Sequence, residues 1–274
     1  MQSFLHSHKL GAIIETDVRI MKDGKILISH DPTFDRLCQR SSLKHKGQKI
    51  IDTLSTELPT FKEDMPLHFS KEAFYRRKEG DQNTYTLLED VFKVLPREQV
   101  IQIDIKDTDN EDAVRNVLAL VYKYDRQQTT IVGCLNPSLN ELIRKINPNV
   151  PTFCDWSQAI KLYLGFLTGL LPYMAVNFDS CPVPFMTRDL VKMRLTENKN
   201  KLAGFLNVLG VLVVNSTANP ILRHLNKRGV FTSYWVINDD DEIQYALKNS
   251  EVQGILTDRP AYVKDFDLHS SIKF

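Results

Sequence analysis

Two apolar runs rich in β-branched residues, over positions 13–20 and 25–29, flank the dipeptide Asp23-Gly24. Asp-Gly between such runs predicts a two-residue hairpin, because that turn needs positive φ at both central positions. Pairing Lys22 with Lys25 across the turn sets Asp17 opposite His30, with Cβ atoms about 5 Å apart. Glu15 and Asp17 are two residues apart and share one strand face. Two acids and a histidine thus converge from one short piece of chain. Alternating charges also mark an ordinary solvent-facing strand, so spacing alone leaves both readings open.

Beyond the hairpin the pattern alternates between helical and extended periods. Residues 2–10 read as the end of a helix, and residues 36–78 as a polar, irregular stretch whose length suits a lid or an insertion. A helix is predicted over 86–95, with Thr86 as cap and Glu89 completing a capping box. Strands follow at 100–106, 130–135 and 150–154, with a strongly amphipathic helix at 111–124 and another helix at 138–146. A short strand is expected at 174–176 and a helix at 221–228 with Gly229 as its C-cap. A strand at 230–237, a helix at 242–249 and a last strand at 252–256, before residues 261–266, complete the pass. Strands alternating with helices of this length imply parallel βαβ units. No repeat, low-complexity tract or linker interrupts the 274 residues, so the expectation is one domain over 1–274.

Composition changes this picture little. The formal charge is +1 and no basic helix interleaved with aromatics is visible, which argues against nucleic acid as a partner. Cys38, Cys134, Cys154 and Cys181 lack C-x-x-C spacing and suit reduced, mostly buried thiols. Residues 1–10 have no apolar core of the kind a secretory signal carries.

The order of short motifs carries more. Gly11-Ala12-x-Ile14-Glu15-x-Asp17-Val18, Lys22-Asp23-Gly24 and Ile28-x-His30-Asp31-Pro32 are followed by Thr86-Leu87-Leu88-Glu89 and Ile103-Asp104-Ile105-Lys106. Trp235-Val236-Ile237-Asn238 and Gly254-Ile255-Leu256-Thr257-Asp258-Arg259-Pro260 close the series. This sequence resembles the glycerophosphodiester phosphodiesterase family along essentially its whole length. The run from Leu164 to Pro172 is similar to the membrane-associated animal branch that cleaves lysophospholipids. The resemblance implies a TIM-type (β/α)8 barrel of the phospholipase-C-like phosphodiesterase kind, in which residues at the C-terminal ends of strands are catalytic. It implies a divalent cation, Mg²⁺ or Ca²⁺, held by Glu15, Asp17 and Asp104, whose hard oxygens suit a hard ion. His30 would protonate the leaving oxygen as general acid. Asp31 would orient the loop, Lys106 would hold phosphate as a point charge, and Trp235 would offer an aromatic wall to the headgroup. For Asp104, pairing with Lys106 along one strand face is the competing reading, and for Trp235 it is a core position. The remaining histidines (His6, His8, His45, His68, His224, His269) read as surface residues.

The family's opening His-Arg-Gly motif and its following Glu-Asn are not present in this sequence. The expectation is therefore a barrel lacking its first strand, from an N-terminally truncated chain. The implied activity is hydrolysis of glycerophosphodiesters or lysophospholipids to an alcohol and a phosphomonoester. The alternative is a catalytically impaired relative that binds membranes or partners. Residues 162–176 and 202–214 are apolar but shorter than the roughly 20 needed to span a bilayer. They read either as buried barrel helices or as interfacial helices. The expected location is membrane-associated or cytoplasmic, with the endoplasmic reticulum membrane expected of a full-length form.

Overall fold

The computed structural model describes residues 1–67, 74–197 and 200–264. The chain divides into two compact units, Met1–Trp156 and Ser157–Phe274.

The first unit opens with helix α1 (Gln2–Leu10), closed by Gly11 at φ 75°. That left-handed value is one that glycine adopts without a Cβ clash. Strand β1 (Ile14–Ile20) buries Ile14, Thr16, Val18 and Ile20 on one face, leaving Glu15 exposed and Asp17 and Arg19 half-buried on the other. Strand β2 (Ile26–Ile28) returns antiparallel, and β5 (Ile101–Ile105) runs parallel on the other side of β1. Parallel β6 (Thr130–Gly133) follows, giving the order β2-β1-β5-β6. Between the hairpin and β5, the antiparallel ribbon of β3 (Asp64–Pro66) and β4 (Phe74–Arg76) decorates the long irregular stretch. That stretch is an insertion with its own core, in which Phe34, Cys38, Leu43 and Ile50 pack with Met21, Leu27 and Tyr85.

Helices α2 (Leu88–Val94), α3 (Glu111–Lys123) and α4 (Pro137–Ile146) cover the sheet. The amphipathic α3 buries Val114, Val117, Leu118 and Val121, and the Asn110 side chain caps it by accepting from the amides of Asp112 and Ala113. Strand β5 is buried almost throughout, so it reads as a continuous apolar run. Its approach is pinned by Arg126, 1% exposed, whose guanidinium donates to the carbonyls of Leu95 and Pro96 at 2.5 and 2.8 Å.

The second unit holds α5 (Trp156–Leu167, whose first residue belongs to the first unit), β7 (Ser180–Pro184), α6 (Arg188–Glu197) and α7 (Lys201–Lys227). Strand β8 (Phe231–Trp235), α8 (Asp240–Asn249), β9 (Gly254–Ile255) and α9 (Pro260–Lys264) complete it. Its sheet is parallel, ordered β7-β8-β9.

Four local expectations are corrected. The hairpin forms, but Met21 pairs with Lys25 (Met21 N–H to Lys25 O, 2.8 Å) and only Gly24 takes positive φ, at 78°. The loop therefore has three residues, and the register shifts by one, so that Val18 faces Ile28 and the Ser29 amide donates to Asp17 O. Helix α2 starts at Leu88 without a side-chain cap, because the stretch before it is drawn to β2, the Thr86 carbonyl accepting from the Ile28 amide. The Glu89 carboxylate instead accepts from Lys123 and Tyr124. The expected strand at 174–176 is irregular, and the strand lies at Ser180–Pro184, where two prolines break the usual signal; prolines are tolerated there because β7 is an edge. The expected helix at 221–228 is the end of the 27-residue α7. Within it the Ser216 and Thr217 hydroxyls turn inward and donate back to the Val213 carbonyl.

Two apolar helices are not buried as core helices are. Along α5 and the turn after it, Trp156, Ile160, Leu164, Leu167, Leu170 and Tyr173 are 50–86% exposed. Along the first half of α7, Leu202, Phe205, Leu206, Leu209, Leu212 and Val213 are 44–64% exposed. The second half of α7 is docked, with Ala218, Ile221, Leu222 and Leu225 buried. The Tyr163 hydroxyl donates to the Val214 carbonyl at 3.0 Å and ties α5 to α7.

Candidate active site

The parallel register sets Asp17 beside Asp104 on adjacent strands, β1 and β5. Lys106, one period past Asp104, places its ammonium between the two carboxylates, 2.9 Å from Asp17 Oδ1 and 2.6 Å from Asp104 Oδ2. Burial pushes the Asp104 carboxyl above its usual range against the pull of Lys106 and His30. Burial disfavours the Lys106 ammonium, but Asp104 and Asp17 outweigh it and the lysine is held firmly protonated. Asp104 Oδ1 is buried with no hydrogen-bond partner.

His30 lies just past the end of β2. Its Nδ1 is 3.1 Å from Asp31 Oδ1, and Asp31 Oδ2 accepts from Arg36, which also donates to the Pro66 carbonyl. Burial alone would raise the Asp31 carboxyl, but hydrogen bonds from His30 and Arg36 prevail and lower it to about 2. A carboxylate at Nδ1 selects the tautomer that leaves Nε2 for proton transfer.

The sequence-predicted residues divide accordingly. Asp17, Asp104 and Lys106 come into contact, and His30 is near enough to influence Asp104. Glu15 does not join them in a three-acid cluster; among the described residues no three His, Cys, Asp or Glu side chains are gathered for an ion. Glu15 shares the Asp17 face but lies one strand period, about 7 Å, below it, in register with Gln102. For a divalent cation the donor set is suitable, being oxygen only, and the unpartnered Asp104 Oδ1 is an acceptor awaiting a partner. Trp235 ends β8 in the second unit, half-buried, in register with Pro184. Also in that unit, Asn238 donates to Asp258 Oδ2 at 2.8 Å, and Arg259 donates to the Asn238 carbonyl and to Asp240.

Of the other histidines, His6 and His45 are exposed and His8 and His224 half-buried, while His68 and His269 lie outside the described residues. All four cysteines are buried. Sequence reasoning passed over Arg19 and Asp107. The signal was available: Arg19 is two residues past Asp17 on the same strand face, and Asp107 directly follows Lys106.

Solved structures resemble the chain across nearly its whole length. A glycerophosphoryl diester phosphodiesterase from Silicibacter pomeroyi aligns with TM-score 0.63 at 14% identity, covering 96% of this chain and 87% of that one. An Oleispira antarctica phosphodiesterase in complex with the product sn-glycerol-3-phosphate aligns with TM-score 0.58 at 13% identity, covering 96% and 88%. The fold is thus the α/β-barrel type of these enzymes. The profile of the glycerophosphoryl diester phosphodiesterase family matches residues 1–262, and the chain belongs to that family. Its enzyme class is accordingly that of the phosphoric diester hydrolases. Among curated relatives, lysophospholipase D GDPD1 of Homo sapiens is 30% identical over 272 residues, covering 98% of this chain and 81% of the relative. Lysophospholipase D GDPD3 of Mus musculus is 28% identical over 261 residues, covering 93% and 72%.

Proposed function

We propose that the chain hydrolyses the headgroup-side P–O bond of glycerophosphodiesters, with lysophospholipids as the favoured class, releasing an alcohol and a phosphomonoester. The observation that carries this is the Asp17–Lys106–Asp104 bridge beside the His30–Asp31 pair. Lys106 and His30 lie just past the ends of β5 and β2, and Asp104 is the last residue but one of β5, the region where α/β barrels place their chemistry. Lys106 attracts the phosphate oxygens as a point charge. His30, with Nδ1 held by Asp31, presents Nε2 to the departing oxygen and gives it a proton, because an alkoxide leaves poorly at neutral pH. Asp17 and Asp104, brought side by side by the parallel register, are the residues that would hold Mg²⁺ or Ca²⁺. Such an ion neutralises charge on the phosphoryl oxygens when bound.

The preference for a lipid substrate and a membrane-surface location rests on the exposed stripes of α5 and α7. Neither Trp156–Tyr173 nor Lys201–Lys227 contains an acidic residue, and Lys161, Lys192 and Lys201 supply positive charge along or beside them. Helix α7 is long and apolar enough to cross a bilayer by length and composition. Its docked second half favours lying in the interface instead.

The test is choline release from glycerophosphocholine and lysophosphatidylcholine by the purified protein. His30→Ala is expected to lower kcat by about 10²–10⁴-fold. Undiminished turnover in that variant would remove His30 from the reaction.

A further inference from the structure

Ladder hydrogen bonding along β2 stops at Ser29, and His30 lies one residue beyond it. The backbone there is held by a charge from the neighbouring strand: Arg19 Nε donates to the His30 carbonyl at 3.0 Å. The same guanidinium reaches the other half of the site, where Arg19 Nη1 donates to the Lys106 carbonyl at 3.3 Å and to Asp107 Oδ1 at 2.9 Å. Asp107 is fixed in turn, because its Oδ2 accepts from the Ile20 amide at 2.6 Å. The Arg19 and Asp107 side chains are 15% and 11% exposed, so the pair is shielded without being sealed off.

We infer that Arg19, anchored by Asp107, is a positioning residue that sets the spacing between the proton donor His30 and the phosphate-binding Lys106. The inference rests on the assignment of His30 as proton donor. Asp31 fixes the imidazole from its Nδ1 side, whereas Arg19 fixes the main chain that carries it. A planar fork joins two carbonyls in a set geometry, and a lysine ammonium, a single point on a flexible stem, does not reproduce it. Arg19 Nε and Nη1 are committed to protein oxygens, so Arg19 acts through its neighbours.

The experiment separates positioning from stability by changing the leaving group. An alkyl diester such as glycerophosphocholine needs a proton at the departing oxygen, and p-nitrophenyl phosphocholine does not. Arg19→Gln is expected to lower kcat on the alkyl diester by roughly 10–100-fold, as a misplaced catalytic group does. On the nitrophenyl ester its kcat should stay within about threefold of wild type, and KM should hold on both substrates. Arg19→Lys should fail to restore the alkyl rate, and Asp107→Asn should show the same contrast more weakly. Should Arg19→Gln not fold, Arg19→Lys supplies the same reading. Equal losses on the two esters, or no loss on either, would overturn the inference. His30→Ala run alongside separates the two claims. If it shows the leaving-group contrast and the Arg19 variants do not, only the positioning role falls. If His30→Ala itself shows none, the donor assignment fails and the role of Arg19 fails with it.

Discussion

The shielded charges of the first unit's site and the exposed apolar helices of the second make the two units differ. In Met1–Trp156 the site charges are mutually bonded and at least three-quarters shielded: Lys106 between Asp17 and Asp104, with side chains 20%, 24% and 15% exposed. In Ser157–Phe274 the prominent ion pairs stand in water, Arg188 with Asp239 and Asp241 being 64%, 49% and 70% exposed. Apolar runs diverge likewise, since Ile101, Ile103 and Ile105 are fully buried while Phe205, Leu206 and Leu209 are about half exposed. Helices cover β5, whereas only one side of α7 meets its own unit. Hydrophobicity alone did not distinguish these runs. The first unit is built to hold a few charges in one geometry, and the second keeps apolar area available for something outside itself.

The sharpest way to break this contrast is to remove one cation from each unit. Lys106→Met leaves two shielded carboxylates without their counter-charge, and urea unfolding should show a loss of about 3 kcal/mol. Arg188→Ala should leave the urea midpoint close to that of wild type, because exposed pairs contribute little. Equal costs would erase the distinction. A smaller effect is expected from Asp31→Asn. The Asp31 carboxyl falls from an ordinary 3.8 to about 2 in the folded protein, so its ionised form stabilises the fold. That contribution, about 2 kcal/mol, is complete above pH ~4 and is lost as pH falls toward 2. The unfolding midpoints of wild type and variant should therefore differ at pH 7 and converge in acid; a gap independent of pH would refute the linkage. The smallest effect concerns the exposed stripe. Phe205→Ser with Leu209→Ser should weaken sedimentation with anionic phosphatidylserine vesicles by about tenfold, at roughly 0.7 kcal/mol per half-buried side chain. The urea midpoint and turnover of soluble glycerophosphocholine should not change. Unaltered vesicle binding would detach the stripe from the lipid reading.

Much of the site was legible before the structure because it follows from strand periodicity and short motifs. The adjacency of Asp17 and Asp104 needs only two parallel strands in register, and Lys106 follows from a step of two residues along one of them. The hairpin was legible in kind but not in register, because whether one or both loop residues take positive φ decides the count, and here Gly24 alone does. Glu15 illustrates a different limit: sharing a face with Asp17 does not bring it to the same height on the strand. For Arg19 the face and the Asp107 partner were legible, whereas its bonds to the His30 and Lys106 carbonyls were not, because no side-chain motif records a main-chain acceptor. The fate of the apolar runs was undecided for a related reason. A stretch such as 202–214 carries the same letters whether a neighbouring element covers it or not.

Arg126 adds a consequence for how the molecule should come apart in acid. A guanidinium keeps its proton across the pH range in which carboxylates titrate, so the clamp on the carbonyls of Leu95 and Pro96 has no acidic release point. The tether from Asp31 to His30 does have one. Lowering pH would thus slacken the histidine's mooring while the entry to the strand bearing Asp104 stays latched, and disassembly would be staged, with the proton donor adrift before its scaffold gives way.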